Sequence, residues 1–231
     1  MSGSLVLLLA ALAAAQAQES LRAHIELTRN GHRLKDASEA VLWLTPVGAK
    51  TAAALPQSEI PKLIQKNKSF HPGLIVVPIG GKVEFPNHDP FFHNVFSLFE
   101  GKRFDLGLYE SGTTRFVQFD KPGISFIFCN IHAQMSAVVI ALATPYYALS
   151  DAKGEINIAN VPPGRYEVQF FHAAVAPDAL RAMTREITVN AGQNALGNFT
   201  LVETDLTVAH KNKYGRDYDR PDPDSPAYAR P

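Results

Sequence analysis

The segment Ile124-Ser125-Phe126-Ile127-Phe128-Cys129-Asn130-Ile131-His132-Ala133-Gln134-Met135 carries the reading of the whole chain. Its first half is rich in β-branched and aromatic residues, which predicts a strand. That strand runs straight into Cys129, the single cysteine of 231 residues. A thiol, an imidazole and a thioether then follow at intervals of three residues on one short loop. A second imidazole stands upstream in His93-Asn94-Val95-Phe96. Two His, one Cys and one Met form the donor set of a blue-copper electron-transfer site. The strand would fix the thiolate on a rigid framework, the loop would bring His132 and Met135 to the same point, and His93 would reach it from a distant strand.

Other metals suit this set less well. Structural zinc takes four strong ligands, and Met is a poor one. Haem attachment requires Cys-x-x-Cys-His, which is absent. Non-haem iron takes two His and a carboxylate. His88 and Asp89 lie close enough to His93 to keep that alternative open, although it leaves Cys129 and Met135 idle. His24, His32, His71, His88, His172 and His210 have no partner at metal-ligand spacing. Around the donors, Asn94 is placed to hydrogen-bond across to the Cys129 loop. Phe85, Phe91, Phe92, Phe96, Phe126 and Phe128 are placed to form a dry shell.

The rest of the chain reads as all-β. Short alternating or apolar runs are separated by Gly, Pro, Asn and Asp. Strands are expected at 21–27 and 40–44, with Asn30-Gly31 as a hairpin cue between them. Further strands are expected at 74–78, 82–85, 94–98, 115–119, 124–128 and 138–142. A last set covers 155–158, 165–171, 187–189 and 195–202. A short helix is expected at 179–185. In 165–171, Tyr166, Val168 and Phe170 alternate with Glu167 and Gln169, which predicts a half-buried strand.

Composition narrows the setting. Formal net charge is zero, so nothing global suggests nucleic acid or an anionic membrane as partner. Residues 1–17 have the form of a secretory signal peptide. An apolar run at 5–15 precedes Ala15-Gln16-Ala17, a small-x-small cleavage pattern, although no Lys or Arg occupies the first four positions. The run is short for a transmembrane helix, which needs about 20 apolar residues. The expected location is therefore periplasmic, with an uncleaved anchor as the alternative. Exported chains often pair their cysteines, and a lone thiol cannot. Residues 205–231 are rich in Lys, Arg, Asp, Tyr and Pro and are expected to be a disordered tail.

Several of these stretches resemble the cupredoxin family. They are Phe70-His71-Pro72-Gly73, Gly81-Lys82-Val83-Glu84-Phe85-Pro86-Asn87, His93-Asn94-Val95, Lys121-Pro122-Gly123 and the Cys129–Met135 loop. The short Cys-x-x-His-x-x-Met loop is similar to the amicyanin type, whereas the plastocyanin type has two more residues before Met. The resemblance implies one type 1 copper ion with His93, Cys129 and His132 as equatorial ligands and Met135 as the axial one. Phe92 and Asn130-Ile131 stand where those relatives usually carry Pro, so the stiffness of the loop does not transfer. As a whole the chain resembles periplasmic cupredoxin-containing proteins of the methylamine-utilisation type.

A second resemblance covers the flanks. Residues 150–158, followed by Val161-Pro162-Pro163-Gly164-Arg165-Tyr166, look like a carboxypeptidase-regulatory-like (transthyretin-type) β-sandwich. Such a module begins with a hairpin of its own, here expected at 21–46. The implied organisation is an all-β chain in which a Greek-key cupredoxin sandwich is inserted in, or fused to, the second sandwich. Its parts are a signal peptide at 1–17, the first half of the outer sandwich at 18–50 and a linker at 51–62. The copper domain follows at 63–143, the second half of the outer sandwich at 144–204, and the tail last.

The implied function is single-electron transfer between redox proteins, without an enzymatic reaction. Weak docking would use Phe91, Phe92, Ile131 and Ala133 around an exposed His132. Copper storage, delivery or resistance is the alternative, using the same donors. A scaffold or adhesion role is a third. A copper oxidase or reductase would need further His clusters, and no His-x-His occurs.

Overall fold

The computed structural model describes residues 20–48, 57–98, 100–204 and 210–218. The signal-peptide reading at 1–17 lies outside them, as do residues 51–56 of the linker.

The outer part begins with β1 (Leu21–Arg29), β2 (His32–Arg33) and β3 (Val41–Pro46). The next segment carries β4 (Ile64–Lys66), β5 (Ser69–His71), β6 (Leu74–Pro78), β7 (Gly81–Pro86), β8 (His93–Ser97), β9 (Phe104–Tyr109), β10 (Thr114–Phe119), β11 (Gly123–Cys129) and β12 (Ser136–Leu142). The chain then returns through β13 (Tyr147–Leu149), β14 (Glu155–Ile158), β15 (Gly164–Phe171), α1 (Pro177–Met183), β16 (Arg185–Val189) and β17 (Ala195–Val202).

Two sheets, β14-β1-β17 with β2 at its edge and β13-β3-β15-β16, enclose the first core. In β1 the side chains of Leu21, Ala23, Ile25 and Leu27 point inward at every second position, as the pleat dictates. The Asn30-Gly31 turn forms with both residues in the left-handed region, but it joins β1 only to the two-residue β2. The expected hairpin over 21–46 is therefore corrected. β3 crosses to the opposite sheet, where it pairs with β13 and β15. Among the described residues, apart from the short β1–β2 pairing, the ladders of β1 and β3 run to strands between 147 and 202, and none runs to 64–142.

The intervening segment is a second sandwich. Its larger sheet has the order β6-β12-β11-β8-β9, and its smaller sheet is β10-β7. The hairpin β4-β5 lies beside β7 through the bridges Lys62–Glu84 and Gln65–Asn87. Residues expected only as linker take part here, since Gln57 exchanges two side-chain hydrogen bonds with the main chain of Lys82.

The two sandwiches share a wall. Along β12, Ala137, Val139 and Ala141 enter the second core, while Val138, Ile140 and Leu142 enter the first. β6 alternates likewise, with Ile75 and Val77 on one face and Leu74 and Val76 on the other. β11 sends Ile127 and Cys129 one way and Ile124 and Phe126 the other, where Phe126 meets Phe171 of β15 edge to face at 6.3 Å. A strand covered on both faces needs apolar residues at every position. That requirement explains the unbroken run Ala137-Val138-Val139-Ile140-Ala141-Leu142.

Residues 210–218 differ from the expected mobile tail. They pack on the end of β11 and the loop after it, with His210 stacked on Phe128, Tyr218 hydrogen-bonded to the carbonyl of Cys129 and Lys213 hydrogen-bonded to Asn130.

Candidate metal centre

β8 and β11 are neighbours in register, with Val95 opposite Cys129 and Phe96 opposite Phe128. His93, Val95 and Cys129 therefore face the second core, while Asn94 and Phe128 face away from it. Cys129 is the last residue of β11, and the chain turns sharply after it. The N–H of Met135 donates to the carbonyl of His132 at 3.1 Å, and the N–H of Cys129 donates to the carbonyl of Met135 at 3.3 Å. This closes the loop over Cys129, His132 and Met135.

Three expected donors converge. Cys129 Sγ lies 3.5 Å from His93 Nδ1 and 3.5 Å from His132 Nδ1. The donor atoms of the three residues all fall within 4.8 Å of one another. Met135 is fully buried in the same core as Cys129. Relative exposure is zero for His93 and Cys129 and 5% for His132, so His132 is not the exposed ligand expected from the sequence. The Phe91 ring covers the imidazoles, with its centroid 5.3 Å from that of His93 and 5.4 Å from that of His132.

Electrostatics prepare the donors. Burial pushes the His93 imidazole below its ordinary range despite the neighbouring Asp89 carboxylate. Burial, with the adjacent His93 and Lys68, takes His132 down to about 4. Both rings are therefore neutral near pH 7 and keep a lone pair for a metal. Burial also raises the Cys129 thiol, opposed by hydrogen bonding from the backbone of Asn94, Ile131 and His132. Metal binding would release that proton.

Asp89 stands behind His93 and not among the candidate donors. Its Oδ2 lies 2.9 Å from His93 Nε2, the ring nitrogen turned away from Cys129. That contact places the proton of His93 on Nε2 and leaves Nδ1 free to ligate. The carboxylate is itself seated on the β4-β5 turn. Asn67 and Lys68, both with positive φ, aim their N–H groups at it from 2.6 and 3.0 Å. Burial alone would raise the Asp89 carboxyl, but these N–H groups and His93 together hold it below the ordinary range. Asp89 thus orients His93 from behind, and His88 is exposed, so the described residues do not bring together the donors of the iron alternative. In the sequence, an Asp four residues before His93 reads equally as a metal donor.

Asn94 and Phe128 also differ from expectation. Asn94 ties to the loop through its carbonyl, which accepts from the N–H of Asn130 at 2.8 Å, while its side chain donates to Asp105 at 2.6 Å. Phe128 points to the opposite face and stacks with His210. Of the expected docking residues, Phe92 and Ala133 are exposed and Phe91 and Ile131 are half-buried. No helix among the described residues is long and apolar enough to cross a membrane.

No family model matches this chain, and no curated protein matches it. Among solved structures, a copper-containing nitrite reductase (NirK) from Thermus scotoductus SA-01 is 24% identical over 42% of this chain and 25% of that chain, with a TM-score of 0.35. A purple cupredoxin from Nitrosopumilus maritimus is 20% identical over 36% of this chain and 99% of its own, at 0.33. A single-site variant of amicyanin in its reduced Cu(I) form is 15% identical over 43% of this chain and 98% of its own, at 0.34. Scores of this size over less than half the chain assign no function.

Proposed function

We propose that this chain is an exported, periplasmic copper protein that passes single electrons between redox partners and transforms no substrate. His93, Cys129 and His132 would hold one copper ion, with the Met135 sulfur as a weaker fourth donor. The observation that carries this reading is the buried Cys129 thiol set 3.5 Å from two ring nitrogens, one of them oriented from behind by a seated carboxylate. Copper bound there would supply a one-electron couple in a dry site.

The chain's own residues supply the remainder. Asp89 holds the tautomer of His93, Phe91 keeps water from both imidazoles, and the two sandwiches limit movement of the donor strands. Phe92, at 50% exposure, and Ala133, beside the half-buried Phe91 and Ile131, would form an apolar contact for transient docking. Such a contact would bury under about 1,200 Å². The outer sandwich, in its resemblance to regulatory-like modules, would present this unit to its surroundings. Copper storage or delivery uses the same donors, but the burial of all three favours retention over exchange.

Protein loaded with one equivalent of Cu(II) is expected to be intensely coloured by thiolate-to-copper charge transfer, to lose that colour in Cys129→Ser, and to give a reversible one-electron wave. Rapid loss of copper to a mild chelator would favour handling over transfer. A protein that stays colourless and folds equally well without copper would favour a scaffold role.

A further inference from the structure

Residues 210–218 lie against the loop that begins at Cys129. The Tyr218 hydroxyl donates to the carbonyl of Cys129 at 2.7 Å. The N–H of Lys213 donates to Asn130 Oδ1 at 2.9 Å, and the Lys213 ammonium reaches Asp105 Oδ2 at 2.8 Å. The other oxygen of Asp105 accepts from the Asn94 side chain, and the Asn94 carbonyl accepts from the N–H of Asn130. These contacts close a ring through Asn130, Lys213, Asp105 and Asn94. It joins the metal loop, the terminal segment, β9 and β8.

His210 completes the arrangement. Its ring stacks on Phe128 with centroids 3.9 Å apart, and its Nδ1 lies 3.2 Å from the Tyr218 hydroxyl. Since that hydroxyl donates to Cys129, the network assigns the proton between them to His210 Nδ1. The terminal segment therefore grips the two residues Cys129 and Asn130 on the side away from the donors.

We propose that residues 210–218 are a clamp that presets the Cys129 loop for copper, with Lys213 and Tyr218 as positioning residues. The proposal rests on the copper reading above. Outer groups of this kind orient ligands and change metal affinity without touching the ion. The clamp would hold the direction of the Cys129 side chain while the charge at the site changes. It would also slow opening of the loop.

The test uses the full chain carrying Lys213→Met together with Tyr218→Phe, with Lys213→Arg alone as the conservative control. Both cores are untouched, so thermal melting should show native folding. In competition with a chelator, copper affinity of the double variant is expected to fall about tenfold, and its thiolate-to-copper band to shift. Lys213→Arg should retain both properties. In the metal-free protein, amide hydrogen exchange across residues 130–135 should speed up several-fold in the double variant. A coloured wild-type protein whose double variant matches it in affinity, band position and exchange would overturn the clamp. A colourless wild-type protein would defeat the copper reading instead, and unchanged exchange would defeat the clamp whether or not copper binds.

Discussion

Asp89 sits 2.9 Å behind His93 and is gripped by two main-chain N–H groups, so its charge and position are both fixed before any metal arrives. Asp89→Asn is expected to lower copper affinity by about 10–100-fold in chelator competition while leaving the fold intact. Unchanged affinity would show that His93 needs no support. The imidazoles also make stability depend on pH. His132, at about 4, and His93 and His172, both lowered by burial, take up protons less readily folded than unfolded. Between about pH 6.5 and pH 4 the unfolded chain therefore binds more protons. Stability of the metal-free protein is full above that window and falls as pH drops through it, by up to about 3 kcal/mol for His132 alone. Denaturant midpoints at pH 7 and pH 4.5 would test this, and equal midpoints would contradict it. At this scale the donor types were legible from spacing alone, because a loop of six residues after Cys129 has few ways to close. The burial of His132 and the role of Asp89 were not, since both depend on Phe91 and the β4-β5 turn folding over the site.

Gly154 shows how an element is held at its end. It has φ +84°, and a Cβ there would stand 1.9 Å from the carbonyl oxygen of Ile25 in the neighbouring strand β1. Neither the backbone conformation nor the strand can yield cheaply. Gly154→Ala is expected to cost about 2–4 kcal/mol, read as a lower denaturant midpoint with the copper band unchanged, and an unchanged midpoint would refute the packing described. Strands with a clean apolar pattern were legible, such as β15 with Tyr166, Val168 and Phe170. β9 was missed because Gly107, with positive φ, interrupts its pattern, and its pairing with β8 slips between Asn94 and Phe96. Asn30-Gly31 was read correctly as a turn but assigned the wrong partner. A turn specifies its immediate neighbours, whereas the seat of β3 is decided by burial of Leu42 and Leu44 against the opposite sheet. The helix was expected two residues late, since Pro177 at its first turn is a start signal.

Across the whole molecule, the wall of β6, β12 and β11 makes the two sandwiches depend on each other. Each core loses one side if the other opens. Unfolding followed at Trp43, the single tryptophan and part of the outer sandwich, should therefore coincide with loss of the copper band. Two separated transitions would mean that the wall couples them weakly. The terminal segment was the least legible part, because its composition has few aliphatic groups to bury and it docks instead through Tyr218, Lys213 and His210. Everything proposed about function rests on one convergence of side chains, and X-ray absorption at the copper edge of the loaded protein tests it most directly. One sulfur at short distance and two imidazole nitrogens bonded to the ion, with that sulfur lost in Cys129→Ser, is the predicted result. A copper ion surrounded by nitrogen and oxygen alone would contradict it.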